Sequence, residues 1–506
     1  MKDKFNFNTR LLVRVGLVIL LFGILFFSFM GEKVPYGNGH GWDGQLYYSM
    51  CYNSLHGITH HGYSTYYVQR FLPFAVVNTM QLIFGFGHAS MYMYIAISIA
   101  LFLGMVGFFK TSSLLKLSTS VEIISFSLLF YNFAILKMCG YYPFLTDPFA
   151  LVVGIWIFYF FYSDQKYLML ITAFIGAFIW QSVWLPTLVL FVLPDKGFNI
   201  TKSDEKLGSR ITEYGKYGSI GIVLISVLYL LKIYYKRYAK MGTVDFSSIV
   251  PYYWGSTKCI LFSLAIICML YYVFWIVRPI HFNIFNLLKE LWREMKWKDV
   301  IIAISLYVGL HVLIEFISDP TADVPYNFII AFRRIMWEPL TLPLKFLETH
   351  LLYYGLTIVL VILFQKEIYS VISNKNSYGL IVAWIYIFIM GTQTESRFII
   401  NMLPFIVFTL AIVLNNHQVK KWVVTSIVTI QLLLSHFWYT INNEDMRRTI
   451  IQDDILTYLN DPIQRYFQFH GPWQNMENYY KWSLIFLLIL VIAKILKKKK
   501  MIFSEN

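Results

Sequence analysis

Charged residues are scarce in this chain of 506 residues: they make up 14% of it, against 58% hydrophobic residues. A soluble domain usually carries about 25% charged residues. The low charge therefore argues against a soluble protein, and the apolar runs leave no room for a long soluble domain. Because those runs are continuous rather than alternating, they also argue against a transmembrane β-barrel.

Cysteine is scarce as well, and the four cysteines have no spacing typical of a metal site. Cys259 and Cys268 fall in an apolar segment, which predicts packing roles. Cys51 and Cys139 fall on the same predicted side of the membrane, where they could form a disulfide or remain free thiols.

Long apolar runs are abundant, and they predict one all-α, polytopic transmembrane domain over residues 1–506 with about fourteen spans. No internal repeat or low-complexity linker divides the chain. No small-residue cleavage site follows the first span, which we therefore interpret as an uncleaved helix. The predicted spans are 10–30, 89–109, 119–138, 148–162, 168–181, 184–194, 217–232, 257–277, 299–318, 350–365, 378–391, 397–414, 421–438 and 482–496.

Two stretches leave alternatives open. Spans 168–181 and 184–194 are short and meet near Trp180, so they are either two half-spans or one longer helix. Segment 71–86 is apolar but short and contains Pro73. We interpret it as a helix lying in the outer interface, because a crossing there would reverse the side of every later loop.

The net charge of +14 resembles a nucleic-acid signal, but it follows the positive-inside pattern of membrane proteins. We therefore expect membrane lipids and no nucleic acid as partners, with both termini in the cytoplasm. The predicted outer segments are 31–88, which holds the interfacial helices, 233–256, 319–349 and the last outer loop 439–481, with short outer turns at 139–147 and 392–396.

Ionisable residues gather at these outer segments, where an unpaired charge at the membrane boundary is costly. Together they suggest a polar site that opens outward, although each alone could be a helix cap or a snorkelling anchor. They are Asp43, Arg70, Asp147, Glu315, Asp319, Asp323, Arg333, Arg334, Glu395 and Arg397.

Four features, taken in order, resemble the GT-C superfamily of integral-membrane glycosyltransferases. Asp43 follows the first span within Gly-His-Gly-Trp-Asp-Gly-Gln-Leu-Tyr-Tyr, and an interfacial stretch follows at 66–73. A second acid lies in Thr146-Asp147-Pro148, and a late Glu-Ser-Arg-Phe at Glu395 precedes a span that contains proline. The resemblance covers most of the chain.

The resemblance implies a polyprenyl-phosphate-linked sugar as donor and a lipid-linked or glycan acceptor, with inversion at the sugar. It implies a site on the outer face of the membrane, which we expect to be a bacterial cytoplasmic membrane. The chain lacks the terminal soluble domain of many relatives, which suggests a small acceptor.

Glycosyl transfer to a hydroxyl needs a base that takes the acceptor's proton, and we assign this role to Asp43. Asp147 is a second catalytic candidate that would orient the acceptor or the loop. A phosphate leaving group suits arginine, whose planar fork pairs with phosphate oxygens. The candidates for binding it are, in order, Arg397, Arg70 and the pair Arg333 and Arg334.

Arg397 comes first because Glu395, two residues away, would not share its helix face, which leaves Arg397 available for another anion. The substrate-binding candidates are Trp42, Gln45, Tyr47, Tyr48 and Glu395. Their aromatic members could stack on a sugar or anchor in the interface. Gly41 and Gly44 are expected to let backbone and substrate approach closely.

Three clustered histidines, His56, His60 and His61, could bind zinc or simply form polar surface. The sequence indicates no metal and no other cofactor. Two other functions stay open: a polysaccharide polymerase or ligase, and a transporter or flippase of lipid-linked glycans. A transporter would need charged groups along a mid-membrane path and often shows repeats.

Overall fold

The computed structural model describes residues 2–60, 62–193, 292, 295–319, 321, 344–374, 378–442, 467–469, 471 and 474–503. These residues form helices and no β-strand, as the predicted all-α class requires. Several predicted features lie outside the described residues: spans 217–232 and 257–277, His61, Cys259, Cys268, Asp323, Arg333 and Arg334.

The first half of the chain forms a long helix followed by shorter ones. Among the described helices, three carry proline at their first or second position, where its missing N–H costs nothing. The helices are α1 (Lys2–Met30), α2 (Trp42–Thr59), α3 (Thr65–Val68), α4 (Leu72–Phe84), α5 (Ala89–Leu114), α6 (Thr119–Phe130), α7 (Phe133–Leu136), α8 (Met138–Tyr141), α9 (Asp147–Tyr162), α10 (Lys166–Gly176) and α11 (Trp184–Val192).

The second half continues the pattern, with a short 3-10 helix, Ser396–Met402, leading directly into an apolar helix. The described helices here are α12 (Trp297–Ile317), α13 (Lys345–Tyr354), α14 (Thr357–Leu363), α15 (Gln365–Asn374), α16 (Tyr378–Met390), α17 (Leu403–Asn415), α18 (Lys421–Leu434) and α19 (Met476–Lys498).

Five described helices are long and apolar enough to cross a membrane, which indicates a membrane protein. A sixth span arises if the pair on either side of the 56° bend after Phe130 counts as one. These are fewer than the fourteen predicted spans, because many of the other predicted spans are helices of 9 to 16 residues. The five are Thr9–Met30, Ala89–Leu114, Trp297–Ile317, Ser396–Asn415 and Glu477–Lys498.

One predicted span takes a different form in the structure, and two stretches that the sequence left open can be compared with it. Predicted span 350–365 is broken at Gly355, whose φ of +65° ends α13. Segment 168–194 is two helices separated by an extended residue, Trp180, so the alternative of one longer helix is wrong. Segment 71–86 contains α4, whose 13 residues are fewer than the roughly 20 that a span needs.

The described helices define two ends of the molecule. At one end, the last turn of α1 contacts α8 so closely that a Cβ at Gly140 would meet the Ser28 carbonyl oxygen at 2.2 Å. At the other, Asn415 at the end of α17 accepts a hydrogen bond from the Ser118 amide at 2.7 Å. Asp147 and Arg397 open helices at the Gly140 end, so their side chains meet there.

Candidate functional site

Asp147 and Arg397 form a bidentate ion pair. Arg397 donates from Nε to both carboxylate oxygens at 3.2 Å and from Nη2 to Oδ2 at 3.1 Å. The Asp147 side chain is 1% exposed and that of Arg397 is 13% exposed. The expectation that Arg397 is free for an anion was therefore wrong: helical spacing separates it from Glu395, but the fold supplies Asp147.

Glu395 takes only a marginal part in this pairing. Its Oε1 lies 4.0 Å from Nη1 of Arg397, at the limit of a salt bridge, and its side chain is 16% exposed. Asp147 is thus the main neutralising charge on Arg397. This agrees with the expectation that Glu395, two residues away, does not share a helix face with Arg397.

Helix α13 holds this pair in place. The Tyr353 hydroxyl donates to Oδ1 of Asp147 at 2.9 Å. His350 lies 2.8 Å from the Gly391 carbonyl through Nε2 and 2.9 Å from the Ser396 hydroxyl through Nδ1. Because a carbonyl only accepts, Nε2 carries the hydrogen of a neutral ring, and Nδ1 accepts from Ser396. The turn before Arg397 is therefore fixed by buried hydrogen bonds.

A second group of residues comes from the first predicted outer loop. Asp43, in the first turn of α2, accepts a hydrogen bond from the Tyr66 hydroxyl at 3.4 Å. The Arg70 guanidinium stacks on the Tyr66 ring at 3.8 Å and donates through Nη1 to the Tyr66 carbonyl at 2.9 Å. Burial raises the pKa of Tyr66 above its ordinary value, so this phenol stays a donor at neutral pH.

Trp180 connects the two groups. Its ring lies 5.1 Å from the Arg70 guanidinium and 5.7 Å from that of Arg397. The break between α10 and α11 puts it there: the Leu72 amide donates to the Phe178 carbonyl at 3.1 Å, and Ser182 donates to Asn401 at 3.1 Å. The structure thus brings Asp43, Arg70, Asp147, Glu395 and Arg397 together from distant parts of the chain.

Asp43 and Asp147 differ sharply in what surrounds them. Asp147 is buried and its two oxygens are occupied by Arg397 and Tyr353. Asp43 is half-buried, and within the described part of the chain its carboxylate has one long hydrogen bond and no ion pair. A base must be free to take a proton, which is a property of Asp43 and not of Asp147.

Arg70 is a buried cation without a carboxylate. Its residue is 2% exposed, and among the described residues no acidic side chain lies within salt-bridge distance. Within the described part of the chain, its Nε has no hydrogen-bond partner, and the same holds for the Tyr47 hydroxyl and the indole N–H of Trp180. Electrostatic interactions join Tyr47 to both Arg70 and Asp43. Two buried donors, together with a cation whose own Nε has no partner among the described residues, suit an anion.

The glycines around Asp43 accommodate a tyrosine. A Cβ at Gly41 would lie 2.3 Å from the Tyr142 ring, and one at Gly44 would lie 2.6 Å from it. The Gly44 amide donates to the Tyr142 hydroxyl at 3.3 Å. The predicted close approach at these glycines is therefore made by Tyr142, whose ring fills the space that a Cβ would take at either position.

The predicted substrate-binding residues of the first loop are mostly packed on one another. Tyr47 is 1% exposed and stacks on Phe74 at 4.6 Å. Trp42 stacks on Tyr36 at 4.9 Å, and Tyr48 stacks on His40 at 3.8 Å. Gln45 is exposed and lies against Gly37.

Sequence reasoning missed several residues of this site. Trp180 stood at the junction of two short apolar segments, so the break itself was its signal. Tyr66 lay within the stretch on which the family resemblance rests, whereas Tyr142, His350 and Tyr353 carried no distinguishing pattern in the sequence.

No group of three or more metal-ligating side chains occurs within the described ranges. His56 and His60 stack on each other at 4.0 Å, and the His60 Nδ1 lies 2.9 Å from the His56 carbonyl. Cys51 and Cys139 are buried free thiols and form no disulfide.

Comparison with known proteins finds no match for this chain among family models, curated proteins or solved structures.

Proposed function

We propose that this protein is a membrane glycosyltransferase that moves a sugar from a polyprenyl-phosphate donor to a lipid-linked or glycan acceptor. The proposal combines the GT-C-like order of sequence features with the charged residues that meet at one end of the helices, among them Asp43, Arg70 and Arg397. Arg70 carries the argument: it is buried, and among the described residues it has no carboxylate partner and the nearby Tyr47 hydroxyl and Trp180 indole N–H have no acceptor. A lipid phosphate supplies the missing charge and acceptor oxygens.

Asp43 is the proposed base. It takes the proton from the acceptor hydroxyl as that oxygen forms a bond to the anomeric carbon of the sugar. The bond from that carbon to the phosphate oxygen breaks, and the lipid phosphate leaves with the bonding electrons. Arg70 stabilises the charge on the departing phosphate, with Arg397 held 5.7 Å from the same Trp180 ring.

The proposed roles differ from the order that the sequence suggested. Arg70 replaces Arg397 as first candidate for the donor phosphate, because Asp147 already neutralises Arg397. Asp147 is proposed as the residue that positions Arg397 and the 391–396 turn. Arg333 and Arg334 stay secondary candidates. No metal or other cofactor has a proposed role.

The topology is part of the proposal: about fourteen spans, both termini in the cytoplasm, and the site on the outer face of a bacterial cytoplasmic membrane. Basic side chains at the Asn415 end of the molecule support this orientation, among them Lys420 and the run that begins at Lys497. Single cysteines at exposed positions 53 and 116 test it, in a chain whose native Cys51 and Cys139 are buried. Labelling of position 116 from outside would overturn it.

The arrangement favours a transferase over a transporter. The charged groups of the candidate site collect at one end of the described helices, whereas a transporter needs such groups along a path through the membrane. A polysaccharide polymerase or ligase stays the alternative closest in chemistry, since it too would bind a lipid phosphate.

A donor panel tests the function. Purified protein is incubated with polyprenyl-phosphate sugars, each with a lipid-glycan acceptor mixture, and release of polyprenyl phosphate is measured. We expect release with one donor, dependent on acceptor and lost in Asp43→Asn. Release of a polyprenyl diphosphate from a lipid-linked oligosaccharide would instead identify a polymerase or ligase.

A further inference from the structure

A second cluster of charged residues lies far from Asp43. Arg10 and Arg14, one turn apart on α1, both bind Glu122 of α6: Arg10 through Nε at 3.2 Å and through Nη2, Arg14 through Nε at 2.7 Å and Nη2 at 2.9 Å. The Glu122 side chain is fully buried, and the Ser112 hydroxyl also donates to it. Two cations share one anion, so the cluster has one positive charge in excess.

Each guanidinium keeps one nitrogen uncommitted. Arg10 and Arg14 direct Nε and Nη2 to Glu122 and to the serine hydroxyls beside it. Neither Nη1 has a partner within the described residues, and neither is a buried atom. The two side chains are 31% and 23% exposed. The excess charge is therefore accessible.

The surroundings place this cluster at a membrane boundary. Leu11, Leu12 and Val15 are 51%, 72% and 45% exposed, so apolar surface flanks the arginines. Along α1 the 20 residues from Arg10 to Met30 span ~30 Å, about the thickness of a hydrocarbon core. Since Asp43 lies beyond the Met30 end, the cluster lies at the opposite boundary.

We propose that Arg10 and Arg14 bind the phosphodiester headgroup of an anionic membrane phospholipid. A phosphodiester carries one negative charge, which matches the excess of the cluster, and its two free oxygens can each accept from one Nη1. Its acyl chains would lie along the exposed apolar surface of α1. Glu122 joins α1 to α6 and neutralises one of the two guanidinium charges, which leaves one charge for the lipid.

The test uses the full chain in nanodiscs of phosphatidylcholine with increasing phosphatidylglycerol, and it follows the binding of a fluorescent phosphatidylglycerol. We expect Arg10→Gln and Arg14→Gln each to weaken this binding by roughly tenfold or more, the loss expected for one charged hydrogen bond. Lys421→Gln is the matched control, because Lys421 is exposed and also lies at the start of a helix packed on α6. We expect the Lys421→Gln protein to bind phosphatidylglycerol as tightly as the wild type does.

Two further arms keep the test decisive. Glu122→Gln frees both guanidiniums, so any folded fraction of this variant should bind the lipid more tightly than the wild type. Inorganic phosphate alone, added to phosphatidylcholine nanodiscs, should not raise the melting temperature as phosphatidylglycerol does. Equal lipid affinity of the two arginine variants and the Lys421 control would overturn the proposal. Equal stabilisation by inorganic phosphate would overturn the assignment to a lipid.

Discussion

Asp147 and Arg397, which are 250 positions apart in the sequence, form a bidentate buried pair at one end of the helices. The pair decides which charged groups of the cluster are occupied and which are available. Asp147 and Arg397 neutralise each other. Asp43 and Arg70 therefore remain available as the base and the cation of the proposed reaction.

The first prediction concerns the stability of this pair. Asp147→Asn leaves Arg397 buried without its counterion, and the expected loss is about 3–5 kcal/mol of unfolding free energy. Unfolding in a matched detergent series measures it. The double variant Asp147→Asn with Arg397→Gln should recover part of the loss. Asp43→Asn is the control, because Asp43 has no ion pair among the described residues. An equally large loss of unfolding free energy in Asp43→Asn would contradict the distinction between a paired Asp147 and an unpaired Asp43.

The second prediction concerns the donor phosphate. Arg70→Lys keeps a charge but loses the planar fork, and we expect donor affinity to fall roughly tenfold to a hundredfold, the equivalent of about 1.5–3 kcal/mol of charged hydrogen bonding. Affinity is measured in nanodiscs, with stability recorded alongside. In Arg397→Lys the melting temperature should fall further than in Arg70→Lys. If only Arg397→Lys loses donor affinity, the phosphate site belongs to Arg397.

The third prediction concerns Tyr66 and pH. Burial raises the pKa of this phenol above its ordinary value, so the hydroxyl donates to Asp43 from pH 6 to pH 9. Tyr66→Phe should therefore lower the transfer rate by the same factor at pH 6 and at pH 9. A factor that shrinks toward pH 9 would mean that Tyr66 loses its proton in this range.

The fourth prediction concerns the packing of Tyr142 on Gly44. Gly44→Ala puts a Cβ 2.6 Å from the tyrosine ring, and overpacking of this kind costs about 1–3 kcal/mol. Tyr142→Leu in the same chain should relieve the clash, so the double variant should be more stable than Gly44→Ala alone. Melting temperatures of the two single variants and the double variant measure the coupling. Strict additivity would contradict the contact.

The helical membrane class was predicted well from the sequence. A chain that lies in lipid needs long apolar segments whatever its tertiary fold, so composition alone indicates the class. Helix breaks were harder to predict: the break near Trp180 was one of two open alternatives, and the end of α13 at Gly355 was not predicted. The candidate carboxylates and arginines were predicted from their rarity in an apolar chain. Their pairing was not, because contacts such as Tyr353 with Asp147 depend on the tertiary fold.

The most direct test of the account is acceptor-dependent release of polyprenyl phosphate by wild type and Asp43→Asn at matched folding. The account predicts a loss of at least about a hundredfold in Asp43→Asn, the scale for removal of a general base. It also predicts an unchanged melting temperature and unchanged donor affinity, because Asp43 has no ion pair among the described residues. An Asp43→Asn protein that releases lipid phosphate at the wild-type rate would contradict the account.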